Sequence, residues 1–204
     1  MTAPVTDRPA RIAIVTVSDR AARGEYEDKG GPGAEAWLRD VITSPMQIDR
    51  VIVPDGREGV AATLRELVET GADLILVTGG TGPAPRDQTP EAVMDVAEKE
   101  LEGFGEEMRR ASLAEVPTAI LSRQTAVIRE TLDHAALIMN LPGQPKSIKE
   151  TLEGLKDDAG NTVVGGIFAA VPYCIDLIKG PYIETNPSIS KTFRPKSALR
   201  PPAA

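Results

Sequence analysis

Asp87 lies in Arg86-Asp87-Gln88-Thr89-Pro90, a few residues after the glycine-rich stretch Gly79-Gly80-Thr81-Gly82, which itself follows the apolar run Leu74-Ile75-Leu76-Val77. This order predicts a buried strand opening into a loop and then a helix. Thr89 is its expected N-cap, with Pro90 in the first turn, where a missing N–H costs nothing. Glycines adopt positive φ and let an anion approach backbone N–H groups, so Gly79, Gly80, Thr81 and Gly82 are candidates for holding phosphate. A Walker A loop needs Lys after its last Gly and a dinucleotide fingerprint needs G-x-G-x-x-G; neither is present. The charges supplied instead are Arg86, which can fork two phosphate oxygens, and Asp87. A carboxylate beside phosphate is repulsive unless a divalent cation lies between them, which makes Asp87 a candidate Mg²⁺ ligand. G-G-T-G by itself is also an ordinary tight turn. Arg86-Asp87 and the Thr89-Pro90 helix start at this spacing favour the phosphate reading.

The elements that must position these groups are β-loop-α units. Arg11 to Val17 is a buried-type strand ending at Ser18-Asp19-Arg20, followed by a polar, glycine-bearing loop to Gly33 and a helix over about 34–41. Ile48 to Val53 is a second strand, ending at Pro54-Asp55-Gly56, and Arg57 to Glu69 has helical periodicity through Val60, Leu64, Leu67 and Val68. Pro-Asp-Gly alone is a common turn. With repeated right-handed βαβ units, however, Ser18, Asp55 and the glycine loop all open on the carboxyl edge of one sheet, where ligands bind in such folds. The expected fold is therefore α/β, a mostly parallel sheet with helices on both faces in a Rossmann-like three-layer domain.

The second half predicts a helix over 89–101, another over 104–113, and a small β-hairpin addition from Ala126–Arg129 and Ala136–Leu141. The latter run exits through Pro142-Gly143-Gln144-Pro145-Lys146 into a helix reaching about Leu155, with Ser147 and Glu150 spaced as a capping box. That helix start can hold an anion or can be a plain cap. Ile167 to Leu177, interrupted by Pro172, reads as a broken helix or as two short ones. Lone His134 and lone Cys174 are a solvated loop residue and a small apolar one, and a single Cys excludes disulfide and zinc frameworks within one chain.

Ser18-Asp19-Arg20, Pro54-Asp55, Thr78-Gly79-Gly80-Thr81-Gly82-Pro83 with Arg86-Asp87-Gln88-Thr89-Pro90, Ser122-Arg123 and Asn140-Leu141-Pro142-Gly143 together resemble the molybdenum cofactor biosynthesis family, whose eukaryotic relatives include the gephyrin G domain. Phe104-Gly105-Glu106, Pro117 to Gln124, Pro172-Tyr173-Cys174 and Phe193 to Ser197 are similar to its bacterial adenylyltransferase branch. The resemblance implies AMP transfer from ATP to the terminal phosphate of molybdopterin with release of pyrophosphate, Mg²⁺ as cofactor, a homotrimer, and hand-over to a molybdenum insertion enzyme. It also implies roles by position: Asp55 and Asp87 catalytic and metal-binding; Gly79, Gly80, Thr81, Gly82 and Arg86 for nucleotide phosphates; Ser18, Asp19, Ser122, Asn140, Pro142, Gly143 and Ser147 for molybdopterin. This sequence departs from the family pattern at Pro85, where relatives often carry a second basic residue, and at Gly56, where they often carry an acidic one. A non-catalytic pterin-binding scaffold of the same fold is the rival reading. A nicotinamide oxidoreductase is disfavoured by the missing fingerprint.

Composition sets the limits. The chain has 204 residues, 41% of them hydrophobic, and a net charge of −7, which suits one core and argues against a nucleic-acid partner. No basic-apolar leader and no run near the ~20 apolar residues of a membrane span is visible, so a cytoplasmic, non-membrane protein is expected. Residues 1–10 read as a flexible N-terminus, 11–186 as the domain, and 187–204 as a proline-rich tail.

Overall fold

The computed structural model describes residues 8–199. In chain order its elements are β1 (Ala10–Val17), α1 (Asp19–Ala22), α2 (Gly30–Val41), β2 (Met46–Val53), α3 (Arg57–Glu69), β3 (Leu74–Thr78), α4 (Thr89–Met94), β4 (Lys99–Glu100), α5 (Glu102–Glu115), β5 (Ala126–Glu130), β6 (Ala135–Leu141), α6 (Pro145–Glu153), β7 (Gly154–Lys156), β8 (Thr162–Gly165) and α7 (Val171–Leu177). Short 3₁₀ turns lie at Pro117–Leu121, Ile167–Ala169 and Lys196–Ala198.

A six-stranded sheet in the order β2-β1-β3-β6-β5-β4 forms the middle layer. The first four strands are parallel, and β5 and β4 complete the edge antiparallel. Parallel strands are covered on both faces, which is why β1, β3 and β6 read as continuous apolar runs. Their side chains alternate between two cores. Ile12, Ile14, Leu74, Leu76, Leu137 and Met139 pack with Trp37 and Leu38 of α2, Leu152 of α6 and Ile175 of α7. Ala13, Val15, Ile75, Val77 and Ile138 pack with Val60, Leu64 and Val68 of α3 and Val93 of α4. The three-layer expectation holds.

Several boundaries differ from the sequence reading. Helix α2 begins at Gly30 rather than near Ala34, because Asp28 Oδ1 accepts the Gly31 N–H at 3.1 Å while its Oδ2 accepts the Thr16 hydroxyl at 2.8 Å. Gly31 serves close packing there, since a Cβ on it would lie 2.5 Å from Asp28 Oδ2. The helix expected over 89–101 stops at Met94, and 98–101 turn to the sheet edge, where Glu98 N–H and Leu101 N–H donate to the carbonyls of Ile128 and Ala126. Edge pairing overrides local helical pattern at this point. Thr89 is the first helical residue rather than the cap, which is Gln88. The expected hairpin forms as β5–β6, with β6 inside the sheet beside β3. Helix α6 ends at Glu153 on Gly154, whose φ is +91°, and a separate β7–β8 hairpin follows that periodicity did not reveal. The capping box is not formed: α6 starts at Pro145, and Glu150 pairs with Lys146 at 3.2 Å. Pro172 lies in the first turn of α7, so 167–177 is two short helical pieces.

Residues beyond Pro187 make specific contacts. Arg194 Nε reaches Asp176 Oδ2 at 2.5 Å, both side chains being nearly buried, and its guanidinium lies 3.9 Å from the centre of the Tyr182 ring. Removing one partner of a buried pair strands the other charge, at a cost of about 3–5 kcal/mol. Arg194→Ala is therefore expected to lower the thermal midpoint by roughly 10 °C, read by calorimetry against the unaltered protein. Residues 1–7 and 200–204 lie outside the described residues. Burial pushes the Cys174 thiol up to about 11, so it is a neutral packing group and not a nucleophile near neutral pH.

Candidate active site

Three strand ends converge at the carboxyl edge of the sheet. Strand β1 pairs with β2 on one side and with β3 on the other, in a register that places Val17 opposite Val53 and Thr16 opposite Thr78. The residues that follow, Ser18-Asp19, Pro54-Asp55 and Gly79-Gly80, therefore emerge side by side. Asp19 and Asp55 lock their loops reciprocally: Asp19 N–H donates to Asp55 Oδ2 at 2.9 Å, and Asp55 N–H donates to Asp19 Oδ1 at 3.1 Å. Ser18 caps α1 by accepting the Ala21 N–H at 3.3 Å. Gly56 has φ +142°, a conformation that an acidic side chain at this position would strain.

The glycine loop is fixed by contact and not merely by turn preference. Gly79 has φ +96°, and a Cβ on it would stand 2.3 Å from the Val17 carbonyl oxygen. Gly80 has φ +61°; its Cβ would meet Thr89 Oγ1 at 2.3 Å and would lie 3.7 Å from Asp55 Oδ1. A Cβ on Gly82 would come within 2.8 Å of Asp87 Oδ2. Asp55 thus lies near Gly80, and Asp87 lies against Gly82. Thr89 Oγ1 is buried without a hydrogen-bond partner behind Gly80.

Ser18, Asp19, Asp55, Gly80, Arg86 and Asp87 line one cavity of ≈ 180 Å³, with Arg20 and Arg23 at the same wall. Six of the candidate site residues, the two assigned to catalysis and metal and four assigned to substrates, therefore meet in space. The volume suits phosphate groups and not a whole nucleotide, because sites for complete ligands start at about 300 Å³. Asp87 is half-buried and its nearest cation is Arg86, 3.9 Å away and largely exposed, so its carboxylate is not committed to a structural ion pair. A separate cavity of ≈ 500 Å³, lined by residues including Arg57, Glu91, Arg109 and Gln124, shares no lining residue with it.

The remaining candidates are placed otherwise. Gly143 packs on the loop, with a Cβ there 3.7 Å from the Gly79 Cα, so the exit of β6 borders the glycines. Pro142 and Ser147 are half-buried beside that exit. Asn140 is fully buried, and its Oδ1 accepts the Thr125 N–H, which joins β6 to the entrance of β5. Ser122 is half-buried and reaches the loop through its neighbour, since Arg123 N–H donates to the Thr81 carbonyl at 3.0 Å. Arg20 and Arg123 stand in the motifs that carry the family resemblance but, like Arg23, are assigned no role by the sequence. The available signal was position: Arg20 and Arg23 follow Ser18-Asp19, and Arg123 lies three residues before the start of β5.

This donor set suits a hard cation shared with phosphate. Among the described residues no three or more His, Cys, Asp or Glu side chains form a metal-binding group. A Mg²⁺ at Asp55 and Asp87 would complete its shell with phosphate oxygens and water, its usual arrangement in nucleotide sites.

A family model described as "Probable molybdopterin binding domain" matches residues 13–159. The chain is 58% identical over 191 residues to the molybdopterin adenylyltransferase of Escherichia coli, covering 93% of this chain and 96% of that protein. It is 56% identical to the enzyme of the same name from Haemophilus influenzae, over 93% of this chain and 95% of the other. Gephyrin of Dictyostelium discoideum is 30% identical over 93% of this chain, which corresponds to 25% of that larger protein. The crystal structure of the molybdopterin biosynthesis enzyme MoaB from Thermus thermophilus superposes with a TM-score of 0.70 at 35% identity, over 85% of this chain and 99% of that one. Among the described residues no helix is long and apolar enough to cross a membrane. With a family model matching residues 13–159 and relatives 56–58% identical over most of the chain, the chain belongs to the molybdopterin-binding family of molybdenum cofactor biosynthesis.

Proposed function

We propose that this protein is a molybdopterin adenylyltransferase: an oxygen of the terminal phosphate of molybdopterin attacks the α-phosphorus of ATP, the bond to the β-phosphate oxygen breaks, and pyrophosphate leaves. The observation that carries this reading is the cavity where Asp55, Asp87, Gly80 and Arg86 meet, in a chain 58% identical to a protein of that name. Two unit negative charges at about 4 Å repel by roughly 4 kcal/mol at an effective dielectric near 20. One uncompensated pair would slow the reaction about a thousandfold. The net charge of −7 offers no help at long range, so compensation must be local. Arg86, Arg20 and Arg23 supply cations at the wall, and Gly80 brings the glycine loop's backbone to the same cavity. Bound Mg²⁺ would neutralise phosphate oxygens, with Asp87 and Asp55 as its protein ligands. No general base is assigned, because the attacking phosphate is already an anion; orientation supplies much of the rate.

Incubating the protein with molybdopterin, ATP and Mg²⁺ is expected to yield adenylylated molybdopterin and pyrophosphate in equal amounts. Tight molybdopterin binding without pyrophosphate release would favour the scaffold reading. Asp55→Asn keeps an oxygen for the Asp19 N–H and removes the charge, so it is expected to cut turnover at least tenfold while moving the thermal midpoint by no more than about 3 °C. Turnover at saturating ATP and a melting curve measure the two effects separately.

The homotrimer and hand-over to an insertion enzyme belong to the same proposal. Exposed Leu113, Val116, Ile120 and Leu121, close in sequence at the end of α5 and in the turn after it, support a subunit contact. Sedimentation equilibrium tests the trimer.

A further inference from the structure

We propose that Arg123 is a positioning residue for adenylyl transfer, holding the loop from Thr81 to Asp87 in its working shape; this rests on the adenylyltransferase reading above. Arg123 gathers the carbonyls of that loop. Its backbone N–H donates to Thr81 C=O at 3.0 Å, its Nε to Gly82 C=O at 3.1 Å, and its Nη2 to Asp87 C=O. Its Nη1 donates to Glu91 Oε1 on α4. One side chain therefore ties both ends of the loop to the helix behind it and to the entrance of β5.

The consequence follows from peptide geometry. In a planar trans unit, a carbonyl and the next N–H point in opposite directions, and the described backbone has no cis peptide. Drawing Thr81 C=O and Asp87 C=O towards Arg123 turns the N–H groups of Gly82 and Gln88 the other way. Carbonyl oxygens facing a phosphate would repel it, whereas N–H groups facing it attract it. Arg123 thus sets the polarity of the loop without lining the carboxylate cavity. The fork is specific to Arg, since a Lys ammonium is a point charge without the planar geometry that spans Gly82, Asp87 and Glu91. Glu91 responds to the same group: burial raises its carboxyl, and the bond and charge of Arg123, together with a backbone hydrogen bond and the charge of Arg57, bring it below the ordinary value.

Displacing reacting groups by about 1 Å costs on the order of a hundredfold in rate. Arg123→Lys, which keeps a cation beside Glu91, is expected to lower kcat about a hundredfold, to leave the KM for ATP within about threefold, and to fold normally by circular dichroism. In Arg123→Ala, guanidinium ion at millimolar concentration is expected to restore part of kcat, a rescue that a loss of general stability would not show. Wild-type kcat in Arg123→Lys overturns the proposal, as does a kcat deficit fully accounted for by loss of folded protein. Absence of pyrophosphate release from the unaltered protein would instead defeat the adenylyltransferase reading.

Discussion

Asp87→Asn is expected to abolish measurable adenylyl transfer, a loss of at least about a thousandfold, while the protein unfolds at the same temperature to within about 3 °C. The rate effect follows from the charge balance: Asn is nearly isosteric with Asp but cannot hold Mg²⁺ against phosphate, and one uncompensated pair of charges already costs about three powers of ten. The stability effect follows from what the carboxylate does in the folded chain. Among the described residues its only ion pair is with exposed Arg86 at 3.9 Å, the kind of contact worth at most about 1 kcal/mol. Stopped-time assays of pyrophosphate release, alongside differential scanning calorimetry, measure both. A variant with unimpaired turnover would remove Asp87 from the chemistry.

Gly79→Ala is expected to fail differently, in stability as well as rate. A methyl group at this position would sit 2.3 Å from the Val17 carbonyl oxygen, a rigid backbone atom at the end of β1, and the residue would keep φ near +96°. Positive φ in a non-glycine residue costs about 1–3 kcal/mol, and relieving the contact requires separating β1 from the loop. The thermal midpoint should fall by roughly 5–10 °C, and kcat by about a hundredfold because every donor on the loop shifts. Gly24 and Gly160 also have positive φ, but nothing lies within 4 Å of a Cβ there. Their Ala variants should show the stability loss and retain turnover, which separates the cost of φ from the cost of the contact.

The parallel layer was legible in the sequence because β1, β3 and β6 are buried on both faces and read as unbroken apolar runs; Leu74 to Val77 is the clearest case. The convergence of Ser18, Asp55 and the glycine loop was legible too, since right-handed crossovers force successive strand ends to one edge. Boundaries set by tertiary contact were not. Lys99–Glu100 carries a helical pattern, yet it pairs with β5 because the sheet edge offers the carbonyls of Ala126 and Ile128. Gly30 and Gly31 look like loop residues and prove to be the packed first turn of α2, where larger side chains would strike Thr78, Thr16 and Asp28. Ser147 and Glu150 have the spacing of a capping box, but Pro145 starts the helix first. Arg123 stands in the Ser122-Arg123 motif, but its clamp was not legible there, because three of its four partners are main-chain carbonyls, which carry no residue-type signature.

The central claim is that the ends of three strands form one phosphate-handling rim. A crystal structure with α,β-methylene-ATP and Mg²⁺ tests it most directly. The account predicts the triphosphate against Gly79 to Gly82, with Mg²⁺ bridging its oxygens to Asp87 and Asp55. A triphosphate bound in the cavity lined by Arg57, Arg109 and Gln124, with the two aspartates touching neither metal nor phosphate, would contradict it.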